Sequence, residues 1–294
     1  RRGGVECEAG RMIGICSWNV KRIWKDNKKG WRDEKAMEIR KGKQVKPRRV
    51  MIYGDNGWGK STWAASWPRP LFVNLEDGIN DLDVHSTKRF TTLEEFHGCL
   101  SDLIRMECEY ETVVIDTLDW LEKLIFTHVA KQANKNCVEE IGFGKGYEQV
   151  EHNWRRIING LSMVWDRGLH IVMTCHSKIA KFKQPEGESY DYHSPALHDK
   201  GSEIMCQWCD EVLYGRYKVI TRSIDEGFGA KRNIAIGGSE RVIMTQEAAT
   251  HVAKNRLGLP TEISADFEVM REKMGDLRGL INNGSSKRKV PENG

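Results

Sequence analysis

Several classes of protein are excluded by what this chain lacks. No apolar run approaches the roughly 20 residues that a membrane helix needs, and no secretory signal is legible, so neither a membrane span nor export is expected. A disulfide framework is absent too. Eight cysteines among 294 residues, with nothing to direct them to an oxidising compartment, read as reduced thiols in a cytoplasm. Cys206-x-x-Cys209 has no second C-x-x-C beside it. With only His193 and His198 to complete a zinc site, the pair reads as core packing of a helix. Apolar residues make up only 39% of the chain, which leaves some segments to be solvated. Internal repeats are missing, and so is a strong charge of one sign: the formal net charge is +4. That balance hides an asymmetry. Residues 1–49 carry sixteen Lys/Arg against six Asp/Glu, net +10, leaving −6 for the remainder.

What the chain does have is Gly54-Asp55-Asn56-Gly57-Trp58-Gly59-Lys60-Ser61-Thr62, a complete G-x-x-x-x-G-K-S phosphate-binding loop. Val50-Met51-Ile52-Tyr53 before it is strand-like, and Ser61 to Trp67 has no helix breaker until Pro68. Such a loop wraps a triphosphate with backbone N–H groups at the opening of a helix. Glycines at 54, 57 and 59 let backbone approach phosphate without a Cβ clash. Lys60 would reach the β- and γ-phosphates, and the Ser61 hydroxyl would ligate Mg²⁺. ATP with Mg²⁺ is the expected ligand.

Residues 1–48 read as a basic, unstructured N-terminal extension, with Trp18, Trp24 and Trp31 among its cations. It suits a nucleic-acid arm or a segment foreign to the natural protein, whose start falls at Met12 or, better, Met37. From 49 to 245 the pattern is that of an ATPase core. Leu71–Leu75, Val113–Ile115 and Ile171–Thr174 read as buried strands. Helical stretches lie between them, one opened by the capping box Thr92-Leu93-Glu94-Glu95. Strands alternating with helices imply a mostly parallel twisted sheet flanked by helices, with ligands gathered beyond the carboxyl ends of the strands. Lys60, Glu76, Asp116 and His176 all fall at such ends. After Glu211 the pattern turns β-rich: short strands at Glu211–Tyr214, Lys218–Arg222, Arg232–Ile236 and Val242–Met244, with Gly237-Gly238 as a turn. Helices at Gln246–Lys254 and Ala265–Ile281 make a C-terminal segment over 246–281, and 282–294 reads as a polar, disordered tail.

Asp116, after Thr112-Val113-Val114-Ile115, has the form of a Walker B acid that would hold Mg²⁺ through water, opposite Ser61. A strand-end helix cap is its bland alternative, a role for which Asp119 competes. Glu76 is placed to orient the attacking water, unless Glu76-Asp77-Gly78 is only a turn. His176 is placed to hydrogen-bond the γ-phosphate and report its loss to the loop that follows, unless it is a satisfied structural histidine. That loop, Ser177 to His198, carries Lys178, Lys181, Phe182, Lys183, Tyr190 and Tyr192. Interleaved cations and rings suit single-stranded nucleic acid, although Glu186, Glu188 and Asp191 also suit a solvated loop. The loop at Phe143, Lys145 and Tyr147 is a second candidate.

Taken together, Lys46-Pro47-Arg48-Arg49-Val50 running into the phosphate loop, Leu75-Glu76-Asp77-Gly78, and Thr112 to Trp120 resemble a group of phage-encoded ATP-binding proteins. Gly142-Phe143-Gly144-Lys145-Gly146-Tyr147, Thr174-Cys175-His176-Ser177-Lys178 and Ala253 to Pro260 extend the likeness over about residues 37–268. That group is AAA-type, with a RecA-like P-loop core, and includes single-strand annealing ATPases of the Sak type. The resemblance implies that Glu76 activates water and that His176 occupies the γ-phosphate-sensing position, where RecA has glutamine. The loop after His176 would then contact DNA. It also implies a DNA-stimulated ATPase of the bacterial host cytoplasm, acting in recombination, annealing or replication. Single-stranded DNA, a single-strand DNA-binding protein and further copies of the chain are its expected partners. Arg256 is placed to reach a neighbour's γ-phosphate as an arginine finger, unless it is only a surface helix end. The rival readings are a P-loop small-molecule or nucleoside kinase, with Lys178 to Lys183 as a lid, and a non-catalytic nucleotide-dependent binding protein. A GTPase is disfavoured, since no N-K-x-D follows the Walker B strand.

Overall fold

The computed structural model describes residues 39, 41–42, 45–105, 107, 109–184, 187–225 and 231–274, with backbone alone at 220–225 and 231–237. The chain divides into two units, 1–44 and 45–294. The second unit holds the sheet and its helices, and the readings made for residues 1–36 and 282–294 lie outside the described residues.

A buried strand, β1 (Arg49–Gly54), runs up the middle of a ten-stranded sheet and ends at the phosphate loop. Its neighbours on one side are β5 (His170–Phe182), β4 (Thr112–Asp116), β2 (Pro70–Asn74) and the two-residue β3 (His85–Ser86), each parallel to the next. On the other side β7 (Glu211–Asp225) is also parallel to β1. Beyond it β8 (Lys231–Met244) and β10 (Glu262–Ser264) pair antiparallel, and β9 (Lys254–Asn255) pairs with the start of β7. The sheet is thus mostly parallel with an antiparallel C-terminal extension, and the fold is that of an α/β P-loop NTPase.

Why the central strands carry unbroken apolar runs follows from their position: both faces of the sheet are covered. Alternation along β1 sends Met51 and Tyr53 into one core and Val50 and Ile52 into the other, all four fully buried. The first core packs under α2 (Leu93–Arg105), α3 (Leu118–Gln132), α4 (Lys145–Asp166) and α5 (Asp199–Trp208). The second packs under α1 (Lys60–Ala65) and α6 (Glu268–Met274), where Trp63 and Trp67 stack edge-on at 5.8 Å. The capping box opens α2 as its sequence demands: Glu95 N–H donates to Thr92 Oγ1 and Thr92 N–H to the Glu95 carboxylate, both at 3.3 Å.

Four sequence expectations are corrected. The stretch after His176 is no open loop: β5 continues to Phe182 and pairs antiparallel with β6 (Tyr190–Pro195) as a ribbon beyond the sheet. The four short strands expected after Glu211 are two long ones, β7 of 15 residues and β8 of 14, and the chain stays extended through Gly237-Gly238. No helix forms at Gln246–Lys254. There His251 bridges to His193 and Ala248, and the Lys254 ammonium donates to the carbonyls of Cys206, Gln207 and Cys209 at 2.7–2.9 Å. Those contacts satisfy the C-terminus of α5, which outweighs a weak local helix preference. The last expected helix, Ala265–Ile281, begins three residues later as α6, and its part beyond 274 lies outside the described residues.

Candidate nucleotide-binding and hydrolysis site

The parallel register brings the chemistry to one edge. Gly54 at the top of β1 is level with His176 on β5, and Asn74 at the top of β2 is level with Asp116 on β4. Glu76 stands two residues past Asn74. Gly57 and Gly59 take φ of 74° and 100°, a left-handed backbone that glycine adopts without strain. Through it the chain turns back under itself, and the Trp63 amide bonds the Gly59 carbonyl at 2.9 Å to start α1.

Lys60 is buried, 6% exposed, and its amine donates to the carbonyls of Gly54 and Asp55 at 3.1 and 3.0 Å. Burial pulls the lysine pKa down, against the pull of Asp116, Asp119 and Glu76 that favours its charged form. Asp116 is 2% exposed and accepts a hydrogen bond from the Thr174 hydroxyl. Its neighbour Thr117 donates to Glu76 at 3.2 Å, which ties the end of β4 to the residue expected to handle water.

His176 is anchored twice by one carboxylate. Its Nδ1 lies 3.0 Å from Asp119 Oδ2, and its backbone N–H donates to Asp119 Oδ1 at 3.2 Å. Burial works to raise the Asp119 pKa, but hydrogen bonds from His176 and Thr117 and the histidine's charge hold it below the usual carboxylate value. Asn56 of the phosphate loop, Glu76, Asp119, His176 and Ser177 line one cleft of about 790 Å³, which continues over Trp120, Lys123 and Phe126 of α3. Ser177 in turn donates to the Asp55 carboxylate, fastening the root of the ribbon to the loop. Glu122 also lines the cleft; burial pushes its carboxyl up to about 7, while the His198 N–H donates to it at 2.8 Å.

Ser61 and Asp116 offer hydroxyl and carboxylate oxygens, the hard donors that Mg²⁺ takes. Among the described residues no group of three or more His, Cys, Asp or Glu is arranged to hold a metal by itself. Such a pair of oxygens fits an ion whose remaining ligands are water and phosphate. Cys206 and Cys209 lie at the end of α5 in the first core or against it, and burial raises the pKa of both.

The other sequence candidates lie apart from this cleft or are engaged elsewhere. Lys178 donates to the Leu197 carbonyl at 2.6 Å and reaches Asp199 at 3.4 Å. Lys181 sits across the ribbon from Asp191, and the Phe182 ring stacks on Tyr190 at 5.2 Å. Lys183 and Lys145 are exposed, and Phe143 beside Lys145 is fully so. Arg256 bonds Asp210 at 3.1 Å, alongside Arg49 at the start of β1. That is the opposite edge of the sheet from the phosphate loop. Sequence reasoning missed Asp119 as the anchor of His176, having weighed it only as a helix cap. It also missed Thr117 and Thr174, whose roles depend on which strands are neighbours.

A family model described as an AAA domain matches residues 46–257. No curated protein matches the chain. Among the described residues no helix is long and apolar enough to cross a membrane.

Proposed function

The chain belongs to the AAA domain family of P-loop ATPases, and we propose that it hydrolyses ATP to regulate its hold on single-stranded DNA. The role is DNA recombination, annealing or replication for a phage, in the cytoplasm of its bacterial host. One observation carries the ATPase reading: an acid, an anchored imidazole and a side chain of the phosphate loop line a single cleft, at the edge where Lys60 and Asp116 also lie.

In this reading Lys60 leaves its own loop carbonyls to pair with the β- and γ-phosphates. Ser61 and Asp116 hold Mg²⁺, which when bound neutralises charge on the phosphates. Glu76, steadied by Thr117, orients a water for in-line attack and takes its proton. His176, held by Asp119 through Nδ1, turns its other nitrogen to the γ-phosphate. Loss of that phosphate then frees the β5–β6 ribbon, whose root is fixed to the same loop by Ser177 and Asp55.

The DNA reading is supported by chemistry more than by charge. The ribbon bears Phe182, Tyr190 and Tyr192 as neighbouring rings on one face, with Lys181 exposed on the other face and Lys183 exposed just past the strand. Bases stack on such rings irrespective of sequence. Phe143 and Lys145 offer a second platform. The discriminating experiment is ATP hydrolysis titrated with single-stranded DNA at two salt concentrations. Salt-sensitive stimulation supports the proposal. ADP formation that requires a metabolite and ignores DNA identifies a kinase instead, and nucleotide-dependent capture of a protein without turnover identifies a binding protein.

A further inference from the structure

The phosphate loop has a back as well as a front, and the back is gripped by the β7–β8 ribbon. Tyr217 and Arg241 are cross-strand partners on that ribbon, immediately before an irregularity in its register. Paired residues share a face, and bulges of this kind commonly re-aim side chains beside functional sites. Both side chains reach the loop. The Tyr217 hydroxyl donates to the Gly57 carbonyl at 3.1 Å, and Arg241 Nη1 donates to the Trp58 carbonyl at 3.3 Å.

The residues around these bonds leave room for them. Gly215, two positions before Tyr217 and on the same face, lies against the Trp58 indole: a Cβ there would stand 2.8 Å from the ring. The indole is thereby fully buried under the sheet edge. A Cβ at Gly59 would collide with the Arg241 guanidinium. One tryptophan is therefore sunk into the core, and the carbonyls on either side of its Cα are each held by a ribbon side chain.

A trans peptide is planar, with its C=O and N–H pointing opposite ways. Holding the Trp58 carbonyl toward Arg241 turns the Gly59 N–H away from the ribbon, toward the concave side of the loop where phosphate is to lie. Holding the Gly57 carbonyl in the same way fixes the Trp58 amide, which closes the turn onto the Asp55 carbonyl at 3.3 Å. Amides that are already aimed need no reordering when an anion arrives, so less affinity is lost to reorganisation. We propose that Tyr217 and Arg241 are positioning residues that pre-shape the phosphate loop from behind and so set its affinity for nucleotide. This rests on the ATP-site reading above.

Nucleotide affinity of the full chain is the test, measured by calorimetry with ATP and Mg²⁺ for the parent, Y217F, R241A, R241K and R216A. Arg216 points to the other face of β7, toward Glu262 at 3.7 Å, and serves as the control. Loss of one hydrogen bond to a loop carbonyl predicts a Kd about 3-fold higher for Y217F and about 10-fold higher for R241A. R241K should recover part of the loss, R216A should match the parent, and kcat at saturating ATP should stay within about twofold while KM rises. Unchanged melting temperatures without nucleotide place the effect in the loop and not in the fold. If Y217F and R241A, with melting temperatures like the parent's, both bind ATP as tightly as the parent and show its KM, the proposal is overturned. A parent chain that binds ATP no better than K60A would instead remove the ATP-site reading beneath it.

Discussion

The Asp119 carboxylate holds His176 at two points, the ring Nδ1 at 3.0 Å and the backbone N–H at 3.2 Å. One bond fixes where the ring points, and the other fixes where the end of β5 lies. In the proposed mechanism the imidazole is oriented by this neighbour, so that Asp119 acts on phosphate through His176. D119N keeps an acceptor of the same shape but removes the charge. It is expected to lower kcat for ATP about tenfold while leaving KM within about twofold, the pattern for an outer residue that orients a reacting group. Steady-state phosphate release across an ATP titration checks it, and a change confined to KM would speak against the assignment.

Lys60 is buried against the carbonyls of Gly54 and Asp55, the rim of its own loop. Its removal is expected to weaken ATP binding by at least about 100-fold, the scale of losing charge-assisted bonds to two phosphates. Calorimetry measures the loss, and a melting curve for K60A close to that of the parent confirms that the loop, not the sheet, has failed.

The fold was largely legible in the sequence because its signals are local. The phosphate loop, the Thr92–Glu95 cap and the apolar runs of β1, β4 and the first half of β5 each announce themselves within a few residues. The mostly parallel order followed from alternation of strand and helix. What stayed hidden depends on distant partners. The ribbon after His176 reads as a polar loop because its residues alternate rings with charges. Its strand state comes from pairing Ser177–Phe182 with Tyr190–Pro195. The segment after Gln246 looks helical in isolation, yet Lys254 is drawn to the end of α5. Arg256 invited a catalytic reading from its type alone, and only the sheet order places it beside Asp210, at the strand starts.

Lys254 offers a direct test of that override. Its ammonium bonds three carbonyls at the C-terminus of α5, so K254M leaves them unpaired. The variant is expected to lose about 1–3 kcal/mol of stability. Chemical denaturation checks the figure, and no loss would mean that α5 ends without help from the β9 segment.

Glu122 lines the cleft, and burial raises its pKa to about 7. A carboxyl raised in the folded state contributes stability below its unfolded pKa and loses it as pH rises through the folded value. Stability of the parent is therefore expected to fall between about pH 4.5 and 7 through this group. Glutamine keeps an acceptor for the His198 N–H and cannot ionise. E122Q should flatten that part of the profile, which denaturation midpoints over about pH 4.5–8 would show. A profile that is the same in both proteins would assign the carboxyl an ordinary pKa.

The central claim is that ATP is cleaved where Glu76, Asp119 and His176 share a cleft with the phosphate loop. Phosphate release from ATP and Mg²⁺ by the parent and by E76Q, with ATP affinity measured alongside, tests it most directly. The account predicts that E76Q binds ATP as the parent does and releases phosphate at least roughly 100-fold more slowly. Equal release by the two proteins would contradict it.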